Sequence, residues 1–328
     1  MSERSPPILR LLVSALDEGK RADAFVSRAL NWSRRDVREL FERGAVTLQR
    51  PGRASYVLRQ RAFLLPIDSE LWVAPGELSS ARPDPLTELQ ILLETPELIV
   101  ANKPAGLPSA ATRSSSSSSA ASVLLSRYPE LADVGHNRYE PGLLHRLDTF
   151  TSGVLVAARN VACFDRLRSL WATNVDKRYL ALISMPNHTE LSPGAHVTFT
   201  SDLEPDPGSP KRVRSCPGHR FQTRATLLGR SGPRALFDVS VGSAYRHQIR
   251  VHFADHGWPL VGDVLYGSEE TAQAPRHALH AYYVACNAPP EFRVTAALPE
   301  DFELTLGPEL TLSAAEILDR SRSSKSAS

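Results

Sequence analysis

His145-Arg146-Leu147-Asp148-Thr149-Phe150-Thr151-Ser152-Gly153 is the stretch that decides the reading. It joins two apolar runs, Gly142-Leu143-Leu144 before it and Val154-Leu155-Val156-Ala157-Ala158 after it. The second run is short and β-branched and predicts a buried strand. Buried strands rarely lead out of an arginine and an aspartate, because an unpaired charge beside a core is costly. Arg146 and Asp148 are therefore expected at the mouth of a cleft, on a turn made by Thr151-Ser152-Gly153. An aspartate placed there can serve as a nucleophile or as a general base.

Three other stretches carry a pattern. Glu97 to Pro108 reads as a strand entering a Pro/Gly turn, with Lys103 in a structural or phosphate-facing role rather than a catalytic one. Lys177 to Ile183 reads as a strand containing Tyr179; a tyrosine in a strand is more often core or rim than catalytic. Arg246 to Gly257 reads as a helix with Gly257 as its C-cap, Ile249 and Phe253 on one face and Arg246 and Arg250 on another.

The 328 residues suffice for one large and one small domain. A hydrophobic fraction of 42% and a charged fraction of 23% describe a globular chain. No apolar run approaches a membrane span, and Met1 to Arg10 lacks the apolar core of a signal peptide, so a cytoplasmic protein is expected. Cys163, Cys216 and Cys286 lie far apart and suggest neither a disulfide framework nor a zinc site. His252 and His256 are four apart, but no Glu follows His252 and no third ligand is evident, so no metal is expected. There is no phosphate loop or dinucleotide fingerprint, and no cofactor is expected. A net charge of +2 alone does not suggest a nucleic-acid partner. The basic residues are mostly arginine, which forks phosphate and stacks on bases, although genomic base composition produces the same bias.

Along the chain, 1–17 reads as a tail, 18–67 as a small module, 68–88 as a proline-bearing linker, 89–306 as the main domain and 307–328 as a frayed polar tail. The run Ser114 to Ser119 reads as a flexible insertion. In the small module, Arg21 to Leu30 predicts a helix with Phe25, Val26, Ala29 and Leu30 inward. A second helix starts at Ser33, with Asp36 completing a capping box and Gly44 ending it. Strands are expected over Val46 to Leu48 and Val57 to Leu65. The polar face carries Arg34, Arg35, Arg38 and Arg43; a solvated face on a small helical cap is the plain alternative to a binding surface.

The opening stretch resembles the signature of RluA-type pseudouridine synthases, His-Arg-Leu-Asp-x-x-Thr-Ser-Gly, at all seven specified positions. The stretches around Lys103, Tyr179 and His247-Gln248-Ile249-Arg250 resemble that family's other motifs, as do Pro259 to Gly267 and Ala278 to Ala281. The N-terminal module is similar, less closely, to an RNA-binding module named after a small-subunit ribosomal protein. Its usual Arg-Leu-Asp start is Arg21-Ala22-Asp23 here, and the Asn-Gly turn after Leu48 is missing.

The resemblance implies an α+β catalytic domain with a mixed, mainly antiparallel sheet and a central cleft, preceded by a small RNA-binding α/β module. It implies Asp148, Tyr179 and Arg250 as catalytic residues, with Arg250 pairing with Asp148 and Tyr179 stacking on the target base. Substrate contacts fall to His145, Arg146, Arg246, His247 and Gln248, and those of the module to Arg34, Arg35, Arg38 and Arg43. The implied reaction isomerises a uridine in structured RNA, large-subunit ribosomal RNA first and transfer RNA next, by a chain that is a monomer by default. One departure touches substrate choice: relatives carry Thr-Gly-Arg-Thr where this chain has Ser243-Ala244-Tyr245-Arg246. Two other classes compete. An RNA-binding ribosome-assembly factor without catalysis should lack Asp148 or Arg250, and both are present. A glycoside hydrolase usually needs two carboxylates flanking the bond, and only Asp148 lies in a motif.

Overall fold

The computed structural model describes residues 8–30, 32, 34–74, 81–110, 118–135, 137–267 and 274–323. The chain divides into two compact units, Met1–Ser80 with His136–Tyr139, and Ala81–Gly135 with Glu140–Ser328.

The first unit is an antiparallel sheet with two helices. Its elements are β1 (Leu9–Leu12), α1 (Ala22–Leu30), α2 (Arg34–Glu42), β2 (Val46–Gln49), β3 (Tyr56–Val57) and β4 (Glu70–Val73), with strand order β1-β4-β2-β3. Val37, Leu40 and Phe41 recur at helical spacing on α2 and are fully buried. Gly44 ends that helix at φ +72°, a conformation open to glycine. Several expectations change here. Part of the expected N-terminal tail is β1, and part of the expected linker is β4, an interior strand pairing with both β1 and β2. Leu71 and Val73 alternate inward from β4 in a stretch whose flanking prolines made it read as a linker. The strand expected over Val57 to Leu65 shrinks to Tyr56–Val57, and Ala29 is exposed rather than inward. Ser33, the expected cap, lies outside the described residues, while Asp36 is buried in the first turn of α2.

The second unit is built on nine strands: β5 (Gln90–Glu94), β6 (Leu98–Lys103), β7 (Ser152–Ala158), β8 (Val175–Ser184), β9 (His196–Pro205), β10 (Val213–Ser231), β11 (Arg234–Val241), β12 (Leu279–Cys286) and β13 (Phe292–Thr295). Their order is β5-β6-β7-β12-β8-β11-β10-β9, with β13 on β12. Every pairing is antiparallel except β7 with β12, so the sheet is mixed and mainly antiparallel, as expected. The helices are α3 (Ala120–Arg127), α4 (Val161–Leu170), α5 (Gln248–Asp255), α6 (Glu300–Leu306) and α7 (Pro308–Ser323), with a 3-10 turn at Pro129–Asp133.

β7 is buried along its whole length because both faces of the sheet are covered. Leu155 and Ala157 share one core with Tyr179, Ala181 and Phe253, while Val154 and Val156 share another with Phe164 and Leu167 of α4. The two-residue period of β8 therefore turns Tyr179 to the face that carries α5 and sends Leu180 to the opposite face. The expected C-terminal tail is instead mostly helix. Leu310, Ala314 and Leu318 of α7 bury against Leu180, Leu182 and Leu236, a stripe that the serine-rich composition hid. Each such leucine is worth about 1.5–3 kcal/mol.

Candidate active site

Asp148 sits on the loop before β7, and buried groups hold that loop on both sides of it. Ser109 Oγ donates to the Leu147 carbonyl at 2.7 Å and accepts the Leu147 N–H at 2.9 Å. Lys103, fully buried, donates to the carbonyls of Pro104 (2.8 Å), Leu107 (2.8 Å) and Thr149 (3.0 Å). Burial, then Arg276, pushes the Lys103 ammonium down to about 7 against the upward pull of Asp148. Arg276 donates to the Phe150 carbonyl at 3.0 Å, and Thr151 Oγ1 pairs with His277 Nε2 at 2.9 Å. Gly153 lies at φ +115°, where a Cβ would come 2.1 Å from the Ala281 carbonyl oxygen. Ser152 and Gly153, expected in a turn, instead begin β7, and its close parallel pairing with β12 requires glycine at 153.

The side chain of Asp148 opens into a cleft. Arg146, Tyr179, Tyr245, His247, Gln248 and Arg250 are among its lining residues. Arg250, on the buried face of α5, donates from Nη1 to Asp148 Oδ2 at 3.0 Å. Its other edge forms a two-pronged pair with Asp263, Nε to Oδ2 at 2.7 Å and Nη2 to Oδ1 at 2.8 Å. Burial works against the guanidinium's charge, yet Asp263 and then Asp148 hold its pKa above the ordinary value. Burial would raise the Asp263 carboxyl, yet Arg250 holds it below its ordinary value. Burial, with Asp148 adding to it, raises the Tyr179 phenol, which stays protonated at neutral pH. The arrangement presents one partly exposed carboxylate oxygen pair, a fixed cation and an aromatic wall.

Residues 97–255 match the family model described as RNA pseudouridylate synthase. An uncharacterized RNA pseudouridine synthase of Chloroflexus aurantiacus is 32% identical over 309 residues, covering 90% of this chain and 92% of that protein. The chain belongs to the RNA pseudouridylate synthase family. The ribosomal large subunit pseudouridine synthase D of Nitrosomonas europaea is 31% identical over 66% of this chain and 64% of its own. Among solved structures, human RNA pseudouridylate synthase domain containing 1 superposes with a TM-score of 0.53 at 21% identity, over 74% of this chain and 98% of that one, a likeness of fold. This pseudouridine synthase is an isomerase of RNA, and among its described residues no helix is long and apolar enough to cross a membrane.

The residues singled out from the synthase's sequence divide in space. Asp148, Tyr179, Arg250, Arg146, His247 and Gln248 line one cleft. Arg146 is exposed and ion-paired with Glu140 at 2.9 Å. Gln248 is buried, and its amide is spent on the Gln222 carbonyl, Thr223 Oγ1 and the Tyr245 N–H. His145 turns away from the cleft: its ring stacks on Trp171 and its Nε2 accepts the Val156 N–H at 3.1 Å. Arg246, expected as a substrate contact, is exposed, reaches the Arg212 carbonyl at 2.9 Å and does not line the cleft. On α2, Arg34 and Arg38 are exposed, Arg38 pairing with Glu42 at 3.0 Å; Arg43 just beyond is exposed too. The side chain of Arg35 lies outside the described residues. His252 is occupied by the hydroxyls of Ser201 and Thr223, both at 2.9 Å. Asp263, Tyr266, Arg276 and His277 were not singled out. Asp263 carried the same signal as Asp148, an acid in a turn beside apolar residues, within a stretch already matched to the family.

Proposed function

We propose that this synthase isomerises a uridine in structured RNA, large-subunit ribosomal RNA before transfer RNA, with Asp148 as the catalytic carboxylate. The observation that carries the reading is the Arg250–Asp148 pair at the mouth of a cleft walled by Tyr179. The Nitrosomonas europaea relative, a ribosomal large subunit pseudouridine synthase, supports the choice of RNA.

The reaction breaks the bond between the ribose anomeric carbon and N1 of uracil and forms one to C5. C5 loses a hydrogen and N1 gains one, so the product has the atoms of the substrate and no redox step is needed. Asp148 attacks the sugar or otherwise forms a transient adduct, and Arg250 holds it aimed. Tyr179, neutral because it is buried, offers a flat face to the extruded base and can take part in proton transfer. Arg146 fills the space left by the base or grips phosphate. Its pair with Glu140 is exposed, worth at most about 1 kcal/mol, so RNA displaces it cheaply. Arg34, Arg35, Arg38 and Arg43 add sequence-independent affinity through phosphate.

Mapping pseudouridines in RNA from cells without this gene, and from cells complemented with Asp148→Asn, tests the reading. One or a few ribosomal uridines should remain unmodified in both. Full modification in the Asp148→Asn strain contradicts the assignment.

A further inference from the structure

His247 has a role that its place in a motif does not explain. It precedes α5 at φ +60°, one of two non-glycine residues with positive φ among the described residues. That conformation costs an L-residue about 1–2 kcal/mol and persists only where surrounding contacts over-determine it. Here the contact is with Tyr266, whose hydroxyl lies 2.8 Å from His247 Nδ1. The same hydroxyl oxygen accepts the Val213 N–H at 2.7 Å. A phenol has a single proton, and the acceptor that the described residues offer it is His247 Nδ1. Nδ1 is then the acceptor, and the neutral ring carries its proton on Nε2.

Nε2 faces Asp148 Oδ1 at 3.8 Å. Arg250 holds the other oxygen, Oδ2. Resting on the reading of Asp148 as the reacting group, we propose that His247 is a positioning residue: Tyr266 fixes it as the Nε2–H tautomer, and that N–H closes on Oδ1 when substrate fills the cleft. A separation of 3.8 Å is too long for a hydrogen bond in the open cleft, and such bonds tighten in the substrate complex.

A neutral donor suits this place. Asp148 already has one cation, and a second would repel Arg250 and draw down the carboxylate's reactivity. Burial, then Arg250 and Arg246, keeps the His247 ring below its ordinary pKa of 6.5 against the upward pull of Asp148 and Asp263. With both carboxylate oxygens engaged, rotation of the Asp148 carboxylate is removed before the chemistry begins.

The decisive experiment combines ring nitrogen resonances of ¹⁵N-histidine-labelled protein with kinetics on RNA. In the wild type, the His247 signals, assigned by their loss in His247→Gln, should show a bare Nδ1 and a protonated Nε2. Tyr266→Phe should let the Nδ1–H tautomer appear and lower kcat by the fraction of rings that adopt it, about twofold for an even mixture, with KM nearly unchanged. Asparagine tolerates the left-handed backbone but is too short to reach Asp148, whereas glutamine reaches it. His247→Gln should therefore keep most of kcat, and His247→Asn should lose it. A proton on Nδ1 in the wild type, or equal kcat in the two variants, overturns the role. Absence of turnover in the wild type on any RNA would overturn instead the function on which the role rests, and the ring spectrum would still decide the tautomer.

Discussion

Replacing Asp263 by asparagine removes one buried charge from behind Arg250 while keeping the side chain's shape. The Asp263 side chain is 1% exposed and that of Arg250 is 8%. Removing one partner of a buried pair costs about 3–5 kcal/mol, because it strands the other charge. Asparagine keeps one acceptor for Arg250, so the lower end, about 3 kcal/mol, is expected. That is a large share of the roughly 5–15 kcal/mol that holds a typical domain together, yet the protein should still fold. The asparagine carbonyl can take the Oδ1 place and keep Arg250 Nη2 and the N–H groups of Leu265 and Tyr266, but its NH₂ then faces Arg250 Nε and that prong is lost. Turnover should fall with stability. Urea unfolding at neutral pH gives the stability change, and a cycle with Arg250→Met isolates the pair. In the Arg250→Met background the same Asp263→Asn change should cost little or be favourable, since an unpaired buried carboxylate is itself unfavourable. A cost under about 0.5 kcal/mol in the wild type, or equal costs in both backgrounds, refutes the reasoning. The sign with pH follows from the depressed Asp263 carboxyl. Its contribution is whole above the ordinary carboxylate value of 3.8 and is lost as pH falls through the lower, folded-state value.

Two further outcomes follow from the same geometry. Tyr179→Phe should keep RNA binding and slow turnover, and Tyr179→Ala should impair both; wild-type behaviour of the alanine variant removes the stacking role. His277 and His280 are buried and pushed down to about 4 and about 3, His277 by burial and then Arg250, His280 by burial. Below their ordinary 6.5 the unfolded chain takes up protons that the folded chain refuses, so stability is whole above about pH 6.5 and declines toward pH 4. Urea unfolding across that range measures the decline, and His280→Asn should remove about 1.4 kcal/mol per pH unit of it. A flat profile contradicts the buried neutral state.

What could be read in advance follows physical lines. β7 was legible because a short, β-branched, unbroken apolar run favours a strand buried on both faces. The helix through Ile249 and Phe253 was legible from its period. The Arg250–Asp148 contact spans 102 positions, and nothing in local spacing announces it; the family resemblance supplied the expectation. His145 misled because it adjoins Arg146, yet the two side chains point different ways, one onto Trp171 and one into the cleft. Arg276, which grips the Phe150 carbonyl and pairs with Asp301, had no pattern around it to mark it. α7 was hidden because its docking stripe, Leu310, Ala314 and Leu318, is interleaved with serine and charged residues and runs into a polar, serine-rich end.

The most direct measurement is release of tritium from C5-labelled uridine in RNA by purified Asp148→Asn protein, beside RNA binding by the same protein. The substitution is nearly isosteric and leaves Arg250 paired with Asp263, so the cleft should keep its shape. Binding close to that of the wild type with no tritium release is the predicted result. Release at the wild-type rate would contradict it, and the reacting group would then have to be sought elsewhere.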